Sequence, residues 1–382
     1  MTEQNAARRG STDLLFDARH IKQSGIGTYL RKTLGYLNDR AAGSGLTYSA
    51  LVNSGDEDAV PAGTPVTHAE PEHAGMYSAA EQKAWHTALD RVRPRALWVP
   101  HYPFPFPTLL PSNRGVRLYM TIHDTTHLLP SDISGQNTIR RAYARLMITI
   151  DLHRATTVFA PSETTARALR GMSPSVPVAV APLPVDPAWL EPSDPDVAPV
   201  TDRYFLYVGN TQRHKNLPLL LEAYGEIAHL VPQKLVIAGG GATVRSLDAR
   251  IQPLVAALGE RVEMIGRIDF DVLRALVAAA DALVMPSLAE GVGLPPLEAM
   301  ACRTAVLASD IDALKETCGD GAEFFDPRDP AALSRLLTHY GRDDDSRDAL
   351  AERGWQHVTA RQSRLNFESA VDTVCAELAT HP

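Results

Sequence analysis

Residues 282–302 run Ala-Leu-Val-Met-Pro-Ser287-Leu-Ala-Glu290-Gly-Val-Gly293-Leu-Pro-Pro-Leu-Glu298-Ala-Met-Ala-Cys302. A short apolar run ends at Ser287, a polar loop with two glycines follows, and a helical pattern begins near Leu294. Pro295 and Pro296 fit the first helical turn, where an N–H would have no partner in any case. The free amides of such a helix start, with the helix dipole behind them, make a place for a phosphate, and the glycines let a ligand approach the backbone. Glu290 lies in the loop and Glu298 near the end of the first turn. Either glutamate alone would read as a charge complementing a helix N-terminus. Their spacing around Gly-Val-Gly-Leu-Pro-Pro favours a ligand with hydroxyl pairs on both sides of a diphosphate, since a carboxylate accepts hydrogen bonds from paired hydroxyls.

The same strand, loop and helix grammar recurs along the chain. Apolar runs at 12–18, 46–52, 95–99, 116–122, 156–161 and 177–181 alternate with longer amphipathic stretches, and so do 204–209, 234–238, 261–265, 282–286, 305–309 and 322–325. In the second half the helical patterns fall near 217–230, 243–258, 269–280 and 294–302. This predicts an α/β chain of two doubly wound, Rossmann-type parallel sheets. Residues 181–203 hold six prolines and read as the connection between them. The expected division is 1–185 as an N-terminal acceptor-binding domain, 186–203 as linker, 204–360 as a nucleotide-sugar-binding domain, and 361–382 as a C-terminal helix packing back on the first domain. Ligands of open α/β sheets bind beyond the strand C-terminal ends, so a central cleft between two facing sheets is the expected place for two substrates.

A chain of 382 residues with 45% apolar and 21% charged residues is an ordinary globular protein of about two domains. Its 37 basic and 45 acidic residues give a net charge of -8, which argues against a nucleic-acid-coating role. Cys302, Cys318 and Cys375 lack metal-ligand spacing and read as reduced thiols. No apolar run approaches the ~20 residues of a membrane span, and the polar start Met-Thr-Glu-Gln-Asn has no leader pattern. The expected location is the cytoplasm. Arg140, Arg141 and Arg145 give residues 139–148 a basic face, for which an ordinary surface helix is favoured over contact with anionic lipid.

The 287–302 segment resembles the Glu-x7-Glu region of retaining family 4 glycosyltransferases of the GT-B fold, a resemblance that extends over nearly the whole chain. It implies that Glu290 contacts the donor sugar, that Glu298 holds the nucleoside ribose, and that the amides of Gly291, Val292, Gly293 and Leu294 face sugar and diphosphate. A second motif, Tyr207-Val-Gly209-Asn210-Thr-Gln-Arg213-His214-Lys215-Asn216-Leu217, resembles the family's strand-loop-Lys-Asn-Leu segment. It makes Lys215 the diphosphate ligand, with Arg213 a candidate second charge and Asn210 and Gly266 further donor-side candidates. His214 stands where many members have arginine. Standing alone, the motif would read equally well as a solvated basic loop.

In the first half, Ser24-Gly25-Ile-Gly27-Thr28-Tyr29 opens a helix after the first strand. It resembles the family's N-terminal glycine loop, which lies across from the donor diphosphate, whereas a bare Gly-x-Gly reads first as a tight turn. Asp17 and Arg19 just before it are candidate acceptor-lining residues. The run ending at Ile122 is followed by His123-Asp124-Thr-Thr-His127. The resemblance puts His123 beside the reaction centre, with Asp124 and His127 on the acceptor side. His123 and His127 lack a third ligand, so no metal site is read there. Asp343-Asp344-Asp345 reads as a solvated loop between helices, followed by a periodic segment near 362–379.

The expected activity is transfer of a sugar, with retention, from a nucleoside diphosphate sugar to an acceptor hydroxyl on a glycan, lipid-linked carrier or small molecule. The resemblance implies that no metal or other cofactor is used and that the leaving phosphate assists the acceptor. A nucleotide-sugar epimerase or hydrolase of the same architecture and an inactive sugar-nucleotide-binding protein are the alternatives.

Overall fold

The computed structural model describes residues 12–23, 25–239 and 248–380. Ser24, the N-terminal residues and the start of the 243–258 helical pattern lie outside them. The described chain forms two compact units. The first comprises Met1–Thr125, Ile139–Leu183 and Asn366–Pro382, and the second Thr126–Thr138 and Pro184–Leu365.

The first unit is built on seven parallel strands, β1 (Leu14–Asp17), β2 (Tyr48–Val52), β3 (Val66–His68), β4 (Ala96–Val99), β5 (Arg117–Thr121), β6 (Thr157–Ala160) and β7 (Val178–Val180), ordered β3-β2-β1-β4-β5-β6-β7. In the second unit β8 (Tyr204–Val208), β9 (Lys234–Ala238), β10 (Val262–Gly266), β11 (Ala282–Met285), β12 (Ala305–Ser309) and β13 (Glu323–Phe325) follow the order β10-β9-β8-β11-β12-β13. Every ladder is parallel. The central strands are buried along their length because helices cover both faces, which is why they read as unbroken apolar runs. Edge strand β3, with Val66 and His68 exposed, lacks that signature and escaped the sequence reading.

Both sheets reverse direction between their first and fourth strands, β1 beside β4 and β8 beside β11. Crossovers diverge there and leave a crevice at the strand C-terminal ends. Asp17 to Gln23 and Pro100 to Phe106 emerge at this point of one sheet. Gly209 to Lys215 and Pro286 to Glu290 emerge at the corresponding point of the other.

From Pro184 onward the proline-rich stretch belongs to the second unit. Val185, Trp189 and Val200 are buried in that unit's apolar core, and Pro187–Leu190 forms a short 3-10 turn capped by Asp186. The acid run is a helix start. Asp343 accepts the Ser346 N–H at 2.9 Å, and Asp344 and Asp345 occupy the first turn of a helix from Asp344 to Arg364. Negative charge there is favoured by the helix dipole, so the loop expectation is corrected. The periodic segment near 362–379 is the end of that helix, a break, and a separate helix Ser369–Thr380. This last helix packs within the first unit. Glu377 accepts hydrogen bonds from the Tyr119 hydroxyl at 2.8 Å and the Thr157 hydroxyl at 3.1 Å. Its carbonyl accepts from Arg117 at 2.6 Å, and the Leu378 carbonyl from Arg95 at 2.8 Å.

Candidate active site

In the second unit, the loops after β8 and β11 are tied together. The Leu288 N–H donates to the His214 carbonyl at 2.7 Å, and Lys215 Nζ donates to Glu290 Oε1 at 2.7 Å with both side chains largely buried. Asn216 stands in the left-handed region at φ 55°, where a short polar side chain is tolerated. Its Nδ2 reaches the carbonyls of Pro286 at 3.0 Å and Pro327 at 2.9 Å, so one side chain fixes the turn that carries Lys215 to the end of β11.

The helix Leu294–Ala301 starts with Pro295 and Pro296 in its first turn, and Gly293 precedes it at φ 84°. A Cβ at Gly293 would meet Leu314 Cδ2 at 2.4 Å, so glycine is required here by both backbone and space. Thr317 donates its hydroxyl proton to the Val292 carbonyl at 2.5 Å, which turns the loop's carbonyl inward. Ser287 at the end of β11 is fully buried, and its hydroxyl has no hydrogen-bond partner among the described residues. Glu298, part-buried on this helix, has its carboxyl pushed up to about 7 by burial and then by the charge of Asp186. Gly266 ends β10 at φ 76°, and its carbonyl accepts the Gly239 N–H at 2.7 Å. A Cβ on Gly239 would strike the Gly209 carbonyl at 2.5 Å, so the floor at the ends of β8, β9 and β10 is bare backbone. Asn210 accepts the Tyr207 hydroxyl at 2.6 Å through its carbonyl, and the Asp248 carboxyl is lowered by its hydrogen bonds from Arg250, with the Arg213 charge adding a little. Lys215, Asn210, Arg213, Gly266, Glu290 to Leu294 and Glu298 thus all fall in this one unit. His127 stands in the segment Thr126–Thr138 of the same unit.

The first-unit candidates divide differently. Asp17 and Arg19 are fully buried, paired at 2.6 Å, so their side chains sit beneath the surface they had been expected to line. Asp17 also accepts Trp85 Nε1–H at 2.7 Å. Burial would raise its carboxyl, yet the Arg19 guanidinium holds it well below the usual range. Glu81, 0% exposed, joins this network and accepts His101 Nε2–H at 2.8 Å. Glu81, His101, His20 and Trp85 were not singled out in the sequence, although Ser78-x-x-Glu81 is a helix-capping pattern that marks the position. Gly27 is needed for packing, because a Cβ there would lie 2.2 Å from the Ile21 carbonyl, and Gly25 stands at φ 74°. His123 donates Nε2–H to the Pro100 carbonyl at 2.9 Å and stands edge-on to Tyr29. Burial pushes its imidazole down to about 4, so it is neutral at physiological pH with Nδ1 as acceptor. Asp124 follows it at the end of β5.

Among the described residues, His20, Glu81 and His101 form one cluster with metal-ligand proximity, and no helix is long and apolar enough to cross a membrane. Arg19 Nη2 lies 3.5 Å from Glu81 Oε1, and a guanidinium beside the only carboxylate suits a hydrogen-bonded network better than a cation.

The sequence matches a family described as glycosyl transferases group 1 over residues 193–357 and one described as glycosyl transferase 4-like domain over residues 24–185. O-antigen chain mannosyltransferase B of Escherichia coli is 31% identical over 175 residues, 41% of this chain and 44% of that protein. D-inositol 3-phosphate glycosyltransferase of Corynebacterium urealyticum is 31% identical over 192 residues, 48% of this chain and 45% of that protein. The chain therefore spans under half the length of these curated relatives. Among solved structures, sucrose-phosphate synthase from Thermosynechococcus elongatus superposes with TM-score 0.74 at 21% identity, covering 97% of this chain and 98% of that one. Anabaena HepE in complex with UDP and glucose gives TM-score 0.72 at 16% identity, covering 97% and 100%. Both likenesses establish the two-sheet GT-B fold.

Proposed function

The chain belongs to the glycosyl transferases group 1 family, and from that premise we propose that it moves a sugar from a nucleoside diphosphate sugar to an acceptor hydroxyl, with retention of anomeric configuration. The observation that carries this reading is the 2.7 Å Lys215–Glu290 pair beside the N-terminus of helix Leu294–Ala301. A cation, a carboxylate and backbone amides within one loop pair match the three chemistries of such a donor. On binding, Lys215 exchanges the carboxylate for diphosphate oxygens, and Glu290 turns to the donor sugar's hydroxyls. Glu298 as a carboxylate accepts the ribose hydroxyls.

The bond from the anomeric carbon to the diphosphate breaks as the bond to the acceptor oxygen forms, and the acceptor proton passes to the departing phosphate. Charge that grows on the diphosphate meets donors already in place, the kind of preorganisation that commonly dominates catalysis. Arg213 is the further candidate charge. His123 works in this reading as a neutral imidazole and not as a cation. No cofactor or metal is invoked, and the partners are the donor and an acceptor with a free hydroxyl.

The test is turnover across a panel of nucleoside diphosphate sugars and acceptors. Lys215→Ala and Glu290→Ala are each expected to lower kcat/KM by about 10²–10³. Near-normal transfer in both overturns the assignment.

A further inference from the structure

The buried network around Glu81 has more structure than support of the first sheet requires. One turn of the helix Ala79–Val92 holds two separate loops. Ser78 caps it by accepting the Glu81 N–H at 3.1 Å. Glu81 Oε2 accepts the Tyr77 N–H at 2.7 Å, and its Oε1 accepts His101 Nε2–H at 2.8 Å, one residue before Tyr102. Gln82 grips the second loop twice, donating to the Phe104 carbonyl at 3.0 Å and accepting the Phe106 N–H at 3.0 Å.

The registered pair is Tyr77 and Tyr102, whose rings stack at 5.0 Å with 30° between planes. Tyr77 stands at φ 65°, a left-handed conformation that a bulky residue adopts only when its surroundings impose it. Such outliers cluster at ligand clamps. Here the imposing group is a carboxylate with no exposed surface, locked in turn by His101 and Arg19. Nor is the ring held in place by burial, since Tyr77 is 44% exposed.

We infer that Tyr77 and Tyr102 form an acceptor subsite for a pyranose ring, with Glu81 as the positioning residue beneath it. A pyranose presents an apolar C–H face and a rim of hydroxyls. Exposed tyrosine offers the matching apolar face with a polar edge. The inference rests on the transfer reaction proposed above and narrows its acceptor to a carbohydrate.

The experiment is saturation-transfer NMR on the full chain with the methyl α-pyranosides of glucose, mannose, galactose and N-acetylglucosamine. UDP binding and thermal unfolding are followed in parallel. At least one pyranoside is expected to bind through its ring C–H protons. Tyr77→Leu and Tyr102→Leu weaken that binding at least tenfold, while Tyr77→Phe, which keeps the ring, stays within threefold. Glu81→Gln weakens it at least threefold and shifts the ring resonances of 13C-labelled Tyr77, with UDP affinity unchanged in every variant. Absence of any pyranoside signal that depends on Tyr77, with UDP still bound, overturns the subsite and leaves the donor reading standing. Signal confined to the methyl aglycone, or equal binding by the leucine and phenylalanine variants, overturns it as well, the latter even if one leucine variant fails to fold. Loss of UDP binding by Lys215→Ala is the separate readout on the donor side.

Discussion

Glu298 holds its proton to about 7 where a free glutamate releases it near 4.5, because burial and then Asp186 disfavour the charge. The folded state therefore binds this proton more tightly than the unfolded chain. Its stabilising effect is complete below the ordinary value and disappears as pH climbs through 7. Glu298→Gln is expected to raise the melting temperature of the ligand-free protein over wild type at pH 8 and to change it little at pH 5, as scanning calorimetry would record. The ionised form is the one proposed to accept ribose hydroxyls. UDP affinity should accordingly rise from pH 6 to pH 8 in wild type more steeply than in the glutamine variant, whose slope reports only the ligand's own phosphate. An equal melting shift at both pH values would sever Glu298 from the effect. Glu298 could be nominated from the sequence because seven residues separate it from Glu290 around a glycine and proline core. Glu81 could not, because its partners His101 and Arg19 are distant in sequence and only the topology of β1 and β4 brings them to it.

At the level of elements, the turn Gly209 to Asn216 joins β8 to the helix Leu217–Ile227 and carries Lys215. Its geometry depends on Asn216, which is buried, left-handed and bonded to two carbonyls. Asn216→Ala loses both bonds and adds backbone strain, an expected cost of about 2 kcal/mol. Asn216→Gly loses the bonds alone and should cost less. Chemical denaturation would measure the order, and an alanine variant at least as stable as the glycine one contradicts the account. The central strands were legible because burial on both faces leaves no polar alternation. The acid run at Asp343 to Asp345 was misread because charge clusters alone do not distinguish a solvated loop from a capped helix start. What resolves it is the Asp343 carboxylate meeting the Ser346 N–H.

For the molecule as a whole, the helix Ser369–Thr380 ties into the first sheet through Glu377, which meets residues of β5 and β6. Glu377→Ala is expected to speed amide exchange in β4, β5 and β6 by about tenfold, equivalent to the loss of roughly one net hydrogen bond, while β8 to β13 keep wild-type protection. Exchange followed by mass spectrometry would show it, and uniform acceleration across both sheets would contradict it. Trp189 and its apolar neighbours join the proline-rich stretch to the core of the second unit.

The first unit is assembled from three stretches of chain, the last of which begins at Asn366. A ribosome adding about 5–20 residues per second releases the second unit in between. For on the order of ten seconds or more, the nascent seven-stranded sheet must wait with Tyr119 and Thr157 lacking their carboxylate. Neither half can be cut out as a contiguous segment and keep all of its own parts, and a premature stop before the final helix would leave the earliest-made strands unfinished.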